Sequence, residues 1–179
     1  MIYRLDADYF VRPLAASDID GPYPGWFEDQ EVSRYNAHGK FFKTRAYFEE
    51  YVGALNREDR VVWALCHVKD GHIGNASLQQ ISFLNRTAEF AILLGDKRHW
   101  GRGVGRLVGQ ALLRHGFMKL DLERIHCATA ASNAGMQKLA LALGMTLEGR
   151  RRRHLFLEGA RVDVLEYGIL REEFTDTPA

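Results

Sequence analysis

The residue types with most chemical content in this chain are Gly101, Gly103 and Gly105, interleaved with Arg98, Arg102 and Arg106. Alternating glycines let a backbone turn tightly and bring bare peptide groups close to a ligand. An apolar run, Phe90 to Leu94, leads into the glycines, and Val104, Leu107, Val108, Ala111 and Leu112 follow at helical spacing. The local grammar is strand, glycine turn, helix. The first N–H groups of that helix have no intrahelical acceptor, and its dipole adds partial positive charge at the same end. Phosphate oxygens suit such a site, and the three guanidiniums fit the same anion. A Walker loop needs Gly-Lys-Ser/Thr after its glycines, where this chain has Gly105-Arg106-Leu107. The dinucleotide fingerprint needs G-x-G-x-x-G near an N-terminal βαβ unit, and neither the spacing nor the place agrees.

The stretch resembles the acetyl-CoA loop of the GNAT N-acetyltransferases, Q/R-x-x-G-x-G/A, with Arg98, Gly101 and Gly103 in the patterned places. The resemblance extends to Ala88-Glu89-Phe90, to Ala130-Ala131-Ser132-Asn133, and to Leu143-Gly144-Met145 followed by Glu148-Gly149. The ending, Gly159 through Asp163 with Tyr167, Leu170 and Glu173, is similar to the ribosomal-protein N-terminal acetyltransferases, the Rim branch. It implies acetyl-CoA as donor and direct attack by an amine in a ternary complex, without an acyl-enzyme. It also implies that the strand before the loop splays from its neighbour and offers backbone to the pantetheine arm at Ile92, Leu93 and Leu94. The remaining cofactor contacts it implies are Arg98, Gly101, Arg102, Gly103, Val104, Gly105, Arg106 and Asn133.

Within that resemblance Glu89 is the expected base. Residues 89, 91 and 93 of a strand share one face, which sets Glu89 beside the acetyl end of the cofactor. Partial burial would raise its pKa and suit it to accept a proton, directly or through water. His38, His72 and His126 are the other possible bases. Asn133 matches an asparagine that can cap a helix and also bond the cofactor arm. Many relatives carry a tyrosine seven residues later as the acid for the thiolate, and here that position is Ala140. Tyr167, Tyr35 or water would then supply the proton, or the thiolate leaves unprotonated.

The branch resemblance points to a protein N-terminal α-amine as acceptor. Trp26 to Val32 and Asn36-Ala37-His38-Gly39 look similar instead to enzymes acting on nucleotide-linked amino sugars. Other small amines stay open, and polyamines are disfavoured because no acidic patch is concentrated in the sequence. Two rival classes are a non-catalytic acyl-CoA-binding module, supported by Ala140, and an RNA-binding protein resting only on Arg150 to Arg153. That run reads as a solvated sheet edge, since edge strands often carry charge to block pairing.

The remaining elements are those that must hold this site. Tyr9 to Leu14 reads as a first strand and Ser17 to Asp20 as a helix start broken by Gly21 to Gly25. Trp26 to Tyr35 reads as a short helix, and Thr44 caps a helix with an apolar stripe Tyr47, Phe48, Tyr51, Val52 and Leu55, expected in the core. A meander follows at Val61–Val68, Ile73–Phe83 and Ala88–Leu94, then a helix at Val104–Leu120, a strand at Arg124–Ala130 and a helix at Asn133–Leu143. A hairpin, Leu147–Leu157 with Val162–Leu170, closes the chain, and the tail from Thr175 is expected to be loose. One α/β domain over residues 1–179 is expected, a mixed sheet with helices on both faces, matching the GNAT fold.

At 179 residues, with 46% hydrophobic and 26% charged residues, the composition is that of an ordinary globular protein. A net charge of +1 gives no argument for nucleic acid or membrane partners. Cys66 and Cys127 lie in apolar runs, which suits reduced thiols in the cytoplasm, and no metal-ligand spacing is evident. A catalytic Cys66 beside His67 is disfavoured, because adjacent strand residues point to opposite faces. No targeting segment is read at the N-terminus. The aromatic content would allow a homodimer.

Overall fold

A computed structural model describes residues 2–56 and 58–175, leaving aside the side chains of Ala37, His38 and Asn56. The elements are β1 (Tyr3–Arg4), β2 (Tyr9–Pro13), α1 (Gln30–Ser33), α2 (Arg45–Gly53), β3 (Val61–His67), β4 (Gly71–Ser82) and β5 (Thr87–Leu94). After them come α3 (Val104–Lys119), β6 (Arg124–Ala130), α4 (Ala134–Ala142), β7 (Thr146–Leu157) and β8 (Ala160–Leu170). The strands form one sheet in the order β1-β2-β3-β4-β5-β6-β8-β7. Only the β5–β6 pair is parallel, so the sheet is mixed as expected.

Alternation along the strands sorts side chains into two cores. Trp63, Leu65, Ile73, Leu78, Phe90 and Ile125 bury one face beneath Val108, Leu112 and Phe117 of α3 and Leu143 beyond α4. Ala64 and Cys66 bury the other face beneath Leu14, Ile19, Tyr23, Trp26 and Phe48. Helix α3 lies close because Gly109 and Gly116 carry no side chain: a Cβ would stand 2.8 Å from Leu143 and 2.7 Å from Ile125. Both helix caps predicted from side chains are present, Thr44 Oγ1 accepting from Tyr47 N at 3.4 Å and Asn133 Oδ1 from Met136 N at 3.1 Å. Gly144, at φ +84°, follows α4 as expected.

The segment between β2 and α2 departs from expectation. Instead of two helices it holds 3-10 turns at Ala16–Asp20, Pro24–Phe27 and Ala37–Lys40, with α1 reduced to four residues. Prolines and glycines interrupt the backbone every few residues there, and the segment is held by aromatic contacts and by buried Asp18. The Arg12 guanidinium grips Asp18 through two bonds of 2.8 and 2.6 Å. The strand β1 was not foreseen, its two residues being too short for any periodicity to show. Residues 176–179 of the tail, expected to be loose, lie outside the described residues.

The arginine run lies on β7, the edge strand, as its charge suggested. Strict alternation fails within it: the register shifts between Arg151 and Leu155, and Arg153 takes φ +51°. Asp163 then meets both the Arg150 guanidinium at 2.6 Å and the Arg153 N–H at 2.8 Å.

Candidate active site

The parallel pair β5–β6 is short. Its register runs only through Thr87–Arg124, Ala88–Ile125 and Glu89–His126, after which the two strands part. The phase of β5 fixes which peptide groups face the opening. Gly95 N donates to Ile73 O at 2.9 Å on the β4 side, whereas Arg86 O accepts from Glu123 N at 2.7 Å on the β6 side. Even-numbered residues of β5 therefore turn their N–H and C=O toward β6, and Phe90, Ile92 and Leu94 address the gap. Unpaired backbone in a sheet interior calls for a partner. Leu94 O already has one in Trp100 Nε1 at 2.8 Å, so the Phe90 C=O, both groups of Ile92 and the Leu94 N–H are left. Leu93, expected among them, turns its backbone to β4 and places its side chain on the opposite core.

The glycine turn follows directly. Gly101 and Gly103 have φ of +72° and +78°, and a Cβ on either would meet no atom within 4 Å. Bare backbone thus borders open space at the start of α3, with Gly103 as its N-cap. Gly105 differs: it lies inside the helix, where a Cβ would make an ordinary contact with Leu139 at 3.4 Å. Val104 is buried beneath the sheet. Arg102 and Arg106 are exposed beside the turn.

Arg98 is exposed but already paired. Its guanidinium bonds Asp96 at 2.6 Å and Asp70 at 3.1 Å, and this pairing holds the Asp96 carboxyl below its usual range. Lys97 reaches Asp29 and Glu31, each at 2.9 Å, tying the turn to the cap of α1. These two cations position the loop.

On the other face of β5 lies a pocket of about 300 Å³. Its floor is Asn75, Ser77 and Gln79 of β4 with Ala91 and Leu93 of β5, and Tyr47, Tyr51 and Arg60 stand around it. Ile92 is on its boundary, so the pocket and the strand gap meet at β5. Glu89 continues the row of Ala91 and Leu93, half-buried, with Oε2 accepting from Gln80 Nε2 at 3.0 Å. His126 stands beside it in register. No carboxylate lines the pocket among the described residues, and its cation, Arg60, is paired with Asp59 at 2.8 Å.

The other candidates separate. His72 is locked between Asp18 and Asn75, and burial lowers its pKa. The side chain of His38 lies outside the described residues. Tyr167 is buried in the α3-side core, whereas Tyr35 donates to Ser132 O at 3.0 Å, next to Asn133. Burial pushes the Cys127 thiol up to about 12 and also raises that of Cys66, which keeps both protonated and unreactive. The sequence reading missed the pocket floor. Its signal was the period-two polar set Asn75, Ser77, Gln79 between buried Ala76 and Leu78 in a central strand. Tyr47 and Tyr51, expected in the core, pack partly buried against it and also line the pocket, while Phe48 lies fully within the core.

The family profile described as an acetyltransferase (GNAT) domain matches residues 9–146. A ribosomal-protein-serine acetyltransferase of Escherichia coli is 34% identical over 99 residues, 55% of this chain and 55% of that protein. A spermidine N(1)-acetyltransferase of Vibrio cholerae is 29% identical over 102 residues, 57% of this chain and 58% of the relative. The chain thus spans little more than half the length of the curated relatives it matches. The crystal structure of the spermidine N-acetyltransferase from Vibrio cholerae with CoA and spermine superposes with a TM-score of 0.84 at 22% identity, covering 94% of this chain and 98% of that one.

Proposed function

Because the chain belongs to the GNAT acetyltransferase family, we propose that it transfers an acetyl group from acetyl-CoA to a primary amine by direct attack in a ternary complex. The observation that carries this reading is the meeting of the β5–β6 gap with the polar pocket at Ala91 and Ile92, with Glu89 at the end of the same row. Acetyl-CoA fits as donor: main-chain amides from Gly101 to Arg106, helped by Arg102 and Arg106, would hold its diphosphate. Ile92 and the Leu94 N–H would hold the arm, as would the amide NH2 of Asn133, whose Oδ1 is committed to the cap. The donor supplies the thioester. Glu89 takes the proton from the amine, directly or through water, and an N–H of β5 polarises the carbonyl. Holding both reactants side by side supplies a large share of the rate, up to ~7–11 kcal/mol in well-oriented cases. Among the tyrosines considered as acid, Tyr35 reaches the start of α4 and is assigned that role.

For the acceptor, the pocket favours a protein N-terminal α-amine. Amide and hydroxyl side chains suit peptide groups, and a polycation would find Arg60 and no carboxylate on the lining. The 29% relative acting on spermidine supports the second reading, a polyamine. A nucleotide-linked amino sugar is the third. Thiol release from acetyl-CoA is to be followed with N-terminal peptides, spermidine and amino-sugar nucleotides. Turnover with peptides at least ~10-fold above spermidine in kcat/KM supports the proposal, as a difference of about 1.4 kcal/mol in transition-state binding. Spermidine as the best substrate reverses the acceptor reading, and no release with any amine favours a non-catalytic acyl-CoA-binding module.

A further inference from the structure

Beneath the glycine turn, three ligating side chains converge from two segments: His67 at the end of β3, Asp70 in the following turn, and His99 in the 3-10 turn after β5. Their ligating atoms all lie within 4.8 Å of one another. Asp70 Oδ2 is flanked by His67 Nδ1 at 2.6 Å and His99 Nε2 at 3.2 Å. A tetrahedral ion with bonds of ~2.1 Å spaces its ligands about 3.4 Å apart, near the Asp70–His99 separation, while His67 would draw back from Asp70 to make room.

Three observations point to a cation within it. His99 is 1% exposed, yet its Nε2 has no hydrogen-bond partner. Leaving such an atom unsatisfied costs about 1–3 kcal/mol. Second, His67 Nδ1 lies 2.6 Å from Asp70 Oδ2, so two of the three ligand atoms already face one another across a shared positive centre. In the metal-free chain that centre is a proton on Nδ1, which a bound ion would displace. Third, Tyr9 Oη lies 2.9 Å from His99 Nδ1. With Nδ1–H donating to the tyrosine, the lone pair of Nε2 faces the cluster, which is the outer hydrogen bond a metal-bound imidazole keeps.

We propose that His67, Asp70 and His99 bind one divalent transition metal, of the zinc class, with three protein ligands and an open fourth position. Two imidazoles and one carboxylate suit zinc or cobalt, and they disfavour magnesium or calcium, which take oxygen ligands. Arg98 holds the other oxygen, Asp70 Oδ1, at 3.1 Å, so the carboxylate binds the ion through one oxygen. The bound ion fastens the β3–β4 turn to the turn that precedes Gly101. It is a structural clamp apart from Glu89. The sequence showed no ligand spacing because His99 lies a whole hairpin away from His67 and Asp70.

The test is to strip the tag-free full chain with chelator and titrate it with Co²⁺. One equivalent, giving the intense visible bands of four-coordinate cobalt and displaced by Zn²⁺, is expected. His99 is buried, so its replacement risks the fold. His67→Gln and Asp70→Asn are therefore used, with circular dichroism confirming that each folds. Each is expected to weaken Co²⁺ binding more than ~10-fold, at least the lower cost of losing an outer-shell partner. Zn²⁺ should raise the Tm of the parent and leave that of the variants unchanged. No cobalt bound by the folded parent, a pale six-coordinate spectrum, or full binding retained by both variants overturns the site.

Discussion

Replacing Glu89 by Gln keeps side-chain length and a polar contact for Gln80 but removes the ability to take a proton from the amine. The expected result is a kcat lowered by ~10²–10⁴ near neutral pH with CoA affinity about the same. Steady-state kinetics and calorimetry together check this, and equal rates across pH would remove Glu89 from the mechanism. At this scale the chain was partly transparent. Asn133 was legible as a helix cap, because capping is a local pattern, and Glu89 as one member of the outward row of β5. The pairing of Arg98 with Asp70 was not legible, because Asp70 comes to it from another hairpin.

Local patterning gave the strand–turn–helix unit with boundaries within a residue or two, since glycine punctuation and the change from period two to helical spacing act locally. The segment between Leu14 and Thr44 was opaque because its short 3-10 turns carry no period, and long-range contacts with Asp18 and Trp26 decide its shape. Gly95 shows the same dependence: a Cβ there would stand 2.0 Å from the Trp26 ring, a contact no spacing reveals. The turn itself allows a sharp prediction at Gly103. At φ +78°, with no atom near an added Cβ, Gly103→Val acts first through backbone strain and then by occupying space beside the diphosphate. Acetyl-CoA binding measured by calorimetry should weaken at least ~10-fold, a loss of about 1.4 kcal/mol, as the variant's turn relaxes from the left-handed conformation that presents its amides. Unchanged affinity would show that the turn does not approach the ligand.

Across the whole molecule, no helix among the described residues is long and apolar enough to cross a membrane. The two faces of the sheet also carry histidines whose burial lowers their pKa, His72 on one core and His115, beside Lys119, on the other. Each has a folded-state pKa below its unfolded value of 6.5, so the unfolded chain binds more protons as pH falls. Their contribution to stability is present above about pH 6.5 and is lost as pH falls through the folded values. Calorimetric Tm should decline from pH 7 to about 5, and His115→Gln should flatten that slope. An unaltered slope would remove His115 as a cause. The central claim is that bare backbone in the β5–β6 gap and the glycine turn receives the thioester carrier. Amide NMR of the full chain with and without acetyl-CoA tests it most directly. Large shifts at Ile92, Leu94 and Gly101 to Arg106 are predicted, whereas saturation with these amides unmoved and shifts elsewhere would contradict the account.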